Sequence, residues 1–210
     1  MTKFTVVGGD SSSDLAKRIA RKIKSPYIKT EKKVFPDGES KITINQIPKK
    51  SIVVVVQSTY PPVDSNLLEL LSIVSKVQKF SSKVYAVIPY MGYARQDREF
   101  LGGEIITIGV VGKLLKAAGV KKVLTVDIHS KLALKELKIS SENVSAMEVL
   151  VKHFKKMKMK NPVVVSPDLG GKERAVKFSE LLKTDCIALK KQRDRKTGKV
   201  KILSGKVDVK

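Results

Sequence analysis

No tryptophan occurs among the 210 residues, which hold one cysteine, two histidines, five tyrosines and six phenylalanines. With Cys186 alone, no internal disulfide can form, and a reducing cytoplasm is the expected compartment. Long apolar runs are missing too. The longest purely aliphatic stretch, Ile52–Val56, is far short of the ~20 residues a membrane span needs, so no membrane partner is expected. The first residues enter a strand directly, without the basic-then-apolar pattern of a secretory leader. Carboxylates are scarce: 20 acidic residues stand against 35 lysines and 7 arginines, a net charge of +22. Cations spread along the whole chain read as a solvated lysine surface. No zinc-finger, helix-turn-helix or RNA-binding sheet pattern is present, so no specific nucleic-acid partner is expected.

What is there is a repeated alternation of strand and helix. Apolar runs at Phe4–Val7, Ile52–Val56, Val84–Ile88, Val123–Val126 and Val163–Val165 read as buried strands, with shorter ones at Ile187–Leu189 and Val200–Leu203. Lys41–Ile47 shows a two-residue alternation. Helices are predicted from Ser11–Ser13 caps to Lys24, with Leu15, Ile19 and Ile23 inward, and over 66–80, 106–118, 146–154 and 172–182. Gly119 should stop the third of these. Strands separated by helices imply an α/β fold with mainly parallel sheets covered on both faces. The polar stretch Ser140–Asn143 is taken as the break between two lobes, residues 1–142 and 143–210.

Four polar clusters fall at strand ends, where ligands bind in open α/β sheets. They are Gln57-Ser58-Thr59, Arg95-Gln96-Asp97-Arg98, Asp127-Ile128-His129-Ser130 and Ser166-Pro167-Asp168-Leu169-Gly170-Gly171. Arg95 and Arg98 offer forked donors suited to phosphate, and Tyr90 or Tyr93 a ring face. Asp127 and His129 could hold a divalent metal or contact phosphate; taken alone, the pair reads rather as a helix-capping aspartate and a structural histidine, since aspartates are common at helix N-termini. Gly170 and Gly171 allow close backbone approach ahead of a helix N-terminus. No Walker loop is present, and Gly8-Gly9 reads as a simple turn. Phe35-Pro36-Asp37-Gly38-Glu39 is a turn that places a phenylalanine beside two carboxylates, where it could stack on a base. Lys190–Lys196 reads either as a solvated hairpin tip or as a cationic arm closing on phosphates.

Pro89–Asp97, together with Phe35–Glu39, Gln57-Ser58-Thr59, Val126–Ser130, Ser166–Gly171 and Lys191–Arg193, resembles the ribose-phosphate pyrophosphokinases in order and spacing. The resemblance implies two phosphoribosyltransferase-like lobes, the second incomplete. It implies a cytoplasmic homo-oligomer whose ATP site is shared between subunits. It also implies transfer of pyrophosphate from ATP to the C1 hydroxyl of ribose 5-phosphate, giving phosphoribosyl pyrophosphate and AMP, with Mg²⁺ as cofactor. By the same resemblance, Phe35, Asp37, Glu39, Arg95, Gln96, Asp97 and His129 would bind ATP. Asp168 would contact ribose 5-phosphate, His129 and Asp168 would hold metal, and Lys191 and Arg193 would be catalytic. Two departures stand out. Ile105 replaces a usual proline, and the Val-Asp-Asp strand with its Gly-Gly-Thr loop is missing from the 210 residues. The alternative is therefore a truncated or noncatalytic homologue that binds nucleotide or joins full-length subunits.

Overall fold

The computed structural model describes residues 4–45, 51–81, 83–193 and 200–204. Two compact units divide the chain, Met1–Val144 and Ser145–Lys210. In the first, six parallel strands lie in the order β2-β1-β5-β6-β7-β8. They are β1 (Phe4–Gly8), β2 (Tyr27–Lys29), β5 (Ile52–Val56), β6 (Lys83–Ile88), β7 (Val120–Val126) and β8 (Ser140–Val144). A separate antiparallel hairpin is formed by β3 (Glu31–Val34) and β4 (Ser40–Thr43). Helices α1 (Ser13–Lys22), α2 (Val63–Val77), α3 (Thr107–Ala118) and α4 (Lys131–Glu136) flank the sheet.

Both faces of the central strands are buried, which is why their sequences are continuous apolar runs. In β5, Val53 and Val55 join the larger core cluster with Leu70, Ile73 and Val74 of α2 and Ile108 and Leu115 of α3. Val56 faces the smaller cluster with Val6, Ala16 and Ala20. Helix α1 buries Ala16 and Ala20, while Leu15 and Ile23, expected inward, are exposed. The cause is close packing: a Cβ on Gly8 would lie 2.7 Å from the Ala16 Cβ, so only small side chains fit between α1 and β1. Gly119 ends α3 in the left-handed region at φ 111, as predicted.

The polar stretch Ser140–Asn143 forms most of strand β8, paired parallel to β7 from Lys122↔Ser140 to Val126↔Val144, and the two compact units divide directly after it, between Val144 and Ser145. An edge strand with a mostly exposed pattern carries polar residues without cost, so it lacks the apolar signature of its neighbours. The short elements β2, β3 and α4 escape sequence periodicity for want of length.

The second unit contains β9 (Val163–Ser166) parallel to β10 (Asp185–Ala188), and β11 (Lys190–Arg193) antiparallel to β12 (Val200–Ser204). Helices α5 (Met147–Lys156) and α6 (Lys172–Leu182) accompany them. Edge-on rings of Phe154 and Phe178, with centroids 5.8 Å apart, join the two helices. No described helix is long and apolar enough to cross a membrane.

Candidate functional site

The sheet reverses its order of winding between β1 and β5, the position where α/β sheets leave a crevice beyond their carboxyl ends. A cleft of about 360 Å³ lies there, lined by Asp10–Leu15, Ser58 and Pro89. Its serines do not cap α1 through their side chains. Ser11 Oγ donates to the Ser58 carbonyl (2.8 Å), Ser12 Oγ accepts from the Ser58 amide (2.8 Å), and Ser13 Oγ pairs with the Tyr27 hydroxyl (2.9 Å). The first two join the ends of β1 and β5, and the third reaches β2. Gly9 has an ordinary φ of −73, so a turn does not explain it. A Cβ there would meet Gln57 Oε1 at 2.1 Å; close approach is the reason for glycine. The Gln57 side chain is fully buried, with both amide atoms unpartnered.

The Pro89–Arg98 loop is held from beneath. Thr59 Oγ1 donates to the Tyr90 carbonyl (2.9 Å) and accepts from the Gly92 amide (2.7 Å). Tyr93 sits at φ 60, and its hydroxyl donates to Asp64 in the first turn of α2. That hydrogen bond to a carboxylate pushes the Tyr93 phenol above its ordinary range. Tyr60 and Tyr90 meet edge to face at 5.6 Å, both exposed. Arg95 and Gln96 are exposed, and Gln96 Oε1 accepts from the Thr107 hydroxyl at the start of α3.

Asp97, expected among the nucleotide contacts, is 3% exposed. Arg98 Nε donates to its Oδ1 (3.1 Å), and Arg98 Nη2 (3.4 Å) and Ser130 Oγ donate to its Oδ2. Burial raises its pKa, but the Arg98 guanidinium and the Ser130 hydroxyl outweigh burial and hold it below the usual carboxylate range. Ser130 Oγ also accepts from the Ala133 amide (3.0 Å), capping α4. Asp97 thus joins the 89–98 loop to the loop that carries His129.

His129 is exposed at the end of β7. The chain reaches it through Asp127, which is left-handed at φ 43, and through the Ile128 amide, which donates to Asn143 Oδ1 (2.8 Å). Phe35–Glu39 is the tip of the β3–β4 hairpin. Phe35 N donates to the Glu39 carbonyl (2.8 Å), Gly38 N donates to the Phe35 carbonyl (2.9 Å), and Asp37 Oδ1 accepts from Glu39 N (3.0 Å). Gly38 supplies φ 91, and Lys33 Nζ lies 5.5 Å from the Phe35 ring centroid. Lys32 anchors the hairpin to α2, bonding Glu69 Oε2 (3.0 Å) and Ser65 Oγ (3.2 Å). Glu69 Oε1 accepts from the Asp10 amide (2.7 Å), so one buried carboxylate connects β1, α2 and the hairpin.

In the second unit, Asp168 is exposed; its Oδ1 accepts from the Gly171 amide (2.9 Å), and Ser166 Oγ donates to the Asp168 carbonyl (2.7 Å). Lys191 and Arg193 occupy β11, opposite Ile202 and Val200. Asp194–Lys196 and the final residues 205–210 lie outside the described residues. Among the described residues no group of three or more His, Cys, Asp or Glu could hold a metal. His129 belongs to the first unit and Asp168 to the second.

Sequence reasoning passed over Lys32, Glu69 and Asp64. The signal for Glu69 was a lone carboxylate within the apolar run Asn66–Val77. Lys32 carried none, being one lysine among 35.

Residues 4–119 match the model of the N-terminal domain of ribose phosphate pyrophosphokinase. The chain is 36% identical to the ribose-phosphate pyrophosphokinase of Sulfurisphaera tokodaii over 94% of its length and 68% of that relative's. It is 39% identical to that of Pasteurella multocida, over 93% of its own length and 63% of the relative's. The chain therefore spans about two thirds of these relatives. Its fold superposes on phosphoribosylpyrophosphate synthetase from Mycobacterium smegmatis with a TM-score of 0.82 at 23% identity, covering 97% of this chain and 67% of that one.

Proposed function

The chain belongs to the ribose-phosphate pyrophosphokinase family, and from that premise we propose that it serves the transfer of the β,γ-pyrophosphoryl group of ATP to the C1 hydroxyl of ribose 5-phosphate. The products are phosphoribosyl pyrophosphate and AMP. One observation supports this most: the exposed Arg95-Gln96 pair and the exposed His129 stand on adjacent strand ends, β6 and β7, joined by the buried Asp97–Ser130 bond. Arg95 would take phosphate oxygens through its fork, and Gln96 the nucleotide's polar groups. Phe35, Asp37 and Glu39, on a hairpin tip, would receive adenine, in an arrangement shared between subunits of a homo-oligomer. Asp168 would bind ribose 5-phosphate. His129 and, in the other unit, Asp168 would each offer a donor toward Mg²⁺, which would supply neutralisation of phosphate charge. Lys191 and Arg193 would stabilise the charge that develops in transfer, and the chain's task is alignment of the two substrates.

A second reading is a homologue that binds nucleotide without turnover: Arg95, Gln96 and His129, the groups proposed to face the nucleotide, lie together in the first unit. The test is AMP formation from ATP and Mg²⁺ with and without ribose 5-phosphate. AMP release that requires the sugar supports the transferase. Saturable ATP binding with no AMP supports the second reading, and absence of ATP binding overturns both.

A further inference from the structure

We propose that Asp97 and Ser130 are positioning residues: their buried bond fixes the His129 loop against the Arg95-Gln96 loop, so that both nucleotide-facing groups are presented in one geometry. The inference rests on the proposed nucleotide site for its purpose, and on geometry for its substance.

Asp97 has little surface to offer a ligand, being 3% exposed with bonds to both oxygens. It immediately follows Arg95-Gln96, whose own side chains are exposed. Ser130 immediately follows His129, and its hydroxyl serves two masters. The single hydroxyl proton goes to Asp97 Oδ2, and an oxygen lone pair takes the Ala133 amide. This polarity requires an acceptor at Asp97, which its ionised carboxylate supplies. The proton balance makes the two roles compatible: α4 is capped by the oxygen while the loop is held by the hydrogen.

Neighbouring loops have their own supports. Tyr93 bonds Asp64, Thr59 holds Tyr90 and Gly92, and Asn143 holds Ile128. The Asp97–Ser130 bond passes from one loop to the other beyond the strand ends, where the Val126 amide donates to the Pro89 carbonyl (3.2 Å). Removing it leaves the Arg95-Gln96 loop tied to α3 through Gln96 and Thr107, and the His129 loop tied through Ile128 and Asn143, but the two no longer tied to each other through these side chains.

The test uses Asp97→Ala, Ser130→Ala, the double variant and Ser130→Thr in the full chain. Asp97→Ala leaves the α4 cap in place, so it separates the strut from the cap. In hydrogen exchange, Asp97→Ala should raise exchange in residues 127–133 as well as in 90–98, and Ser130→Ala should do the same in reverse. Affinity for ATP should fall about tenfold in either single variant, as for other supporting residues of a site. The double variant should fall no further, and Ser130→Thr should restore binding. Exchange changes confined to the mutated loop overturn the proposal, whatever the nucleotide result. So does unchanged ATP affinity in both single variants when the parent chain binds ATP. If the parent chain binds no ATP, the nucleotide reading fails, and exchange alone decides whether the strut exists.

Discussion

Lys32 Nζ stands 3.0 Å from Glu69 Oε2, a carboxylate whose side chain is wholly shielded from solvent. The pair ties the hairpin bearing Phe35–Glu39 to helix α2, and the same carboxylate takes the Asp10 amide at the end of β1. Removing one partner of a buried pair leaves a charge uncompensated and costs about 3–5 kcal/mol. Lys32→Met should therefore destabilise the first unit by about 3 kcal/mol, the low end, because Lys32 retains some solvent contact. Lys32→Met combined with Glu69→Gln should recover much of that loss. Urea unfolding measures both; a single variant as stable as the parent would refute the account.

Asp97 confers a pH dependence. Its folded pKa lies below the ordinary carboxylate range, because Arg98 and Ser130 outweigh burial. A depressed carboxylate stabilises the fold above its unfolded pKa and loses that stabilisation as pH falls through the folded value. The stability gap between the parent chain and Asp97→Asn should thus be fully open at pH 7 and shrink below about pH 4. A gap of constant size from pH 7 to pH 3, by urea unfolding, would contradict it.

Gly112 lies where α3 meets the end of α4, and a Cβ there would fall 2.2 Å from the Leu137 carbonyl oxygen. Overpacking costs about 1–3 kcal/mol, and alanine's helix preference returns about 1 kcal/mol. A backbone clash this close belongs at the upper end, so Gly112→Ala should lose about 2 kcal/mol. A rise in melting temperature would show that α4 yields.

Arg95 is exposed and makes no side-chain hydrogen bond or ion pair among the described residues, so its replacement should leave the fold intact. A hydrogen bond to a charged group contributes about 1.5–3 kcal/mol. Arg95→Ala should then weaken ATP binding by about 10- to 100-fold, read by calorimetry. Equal affinity in parent and variant would remove Arg95 from the site.

Lys191→Ala should lower the rate of phosphoribosyl pyrophosphate formation by about 10²–10³ with little change in ATP affinity, as expected for a donor acting on transition-state charge. A variant that loses affinity but keeps its turnover would place Lys191 in ground-state binding instead.

Much of this was legible in the residues themselves. Val53–Val56 and Val84–Ile88 are apolar throughout because both sheet faces are covered, and so the parallel α/β class follows from local pattern. Gly119 ended α3 because only glycine readily takes φ 111. The polar loops could be placed at strand ends by alternation alone. Strand β8 was not legible, because an exposed edge strand has no apolar period. Neither was the inward stripe of α1, which close packing on Gly8 shifted from Leu15 to Ala16.

The sequence by itself determined the buried central strands, the longer helices and the polar groups at their ends, since propensity and burial act over a few neighbouring residues. Tertiary structure alone decided which of those groups face outward. Arg95, Gln96 and Asp97 are consecutive, yet two are exposed and the third is buried, bonded to Ser130 thirty-three positions away. Glu69 likewise became a buried junction only because Lys32 and the Asp10 amide arrive there from distant parts of the chain. A buried carboxylate is tolerated only where donors converge on it, and that convergence is a property of the packed chain.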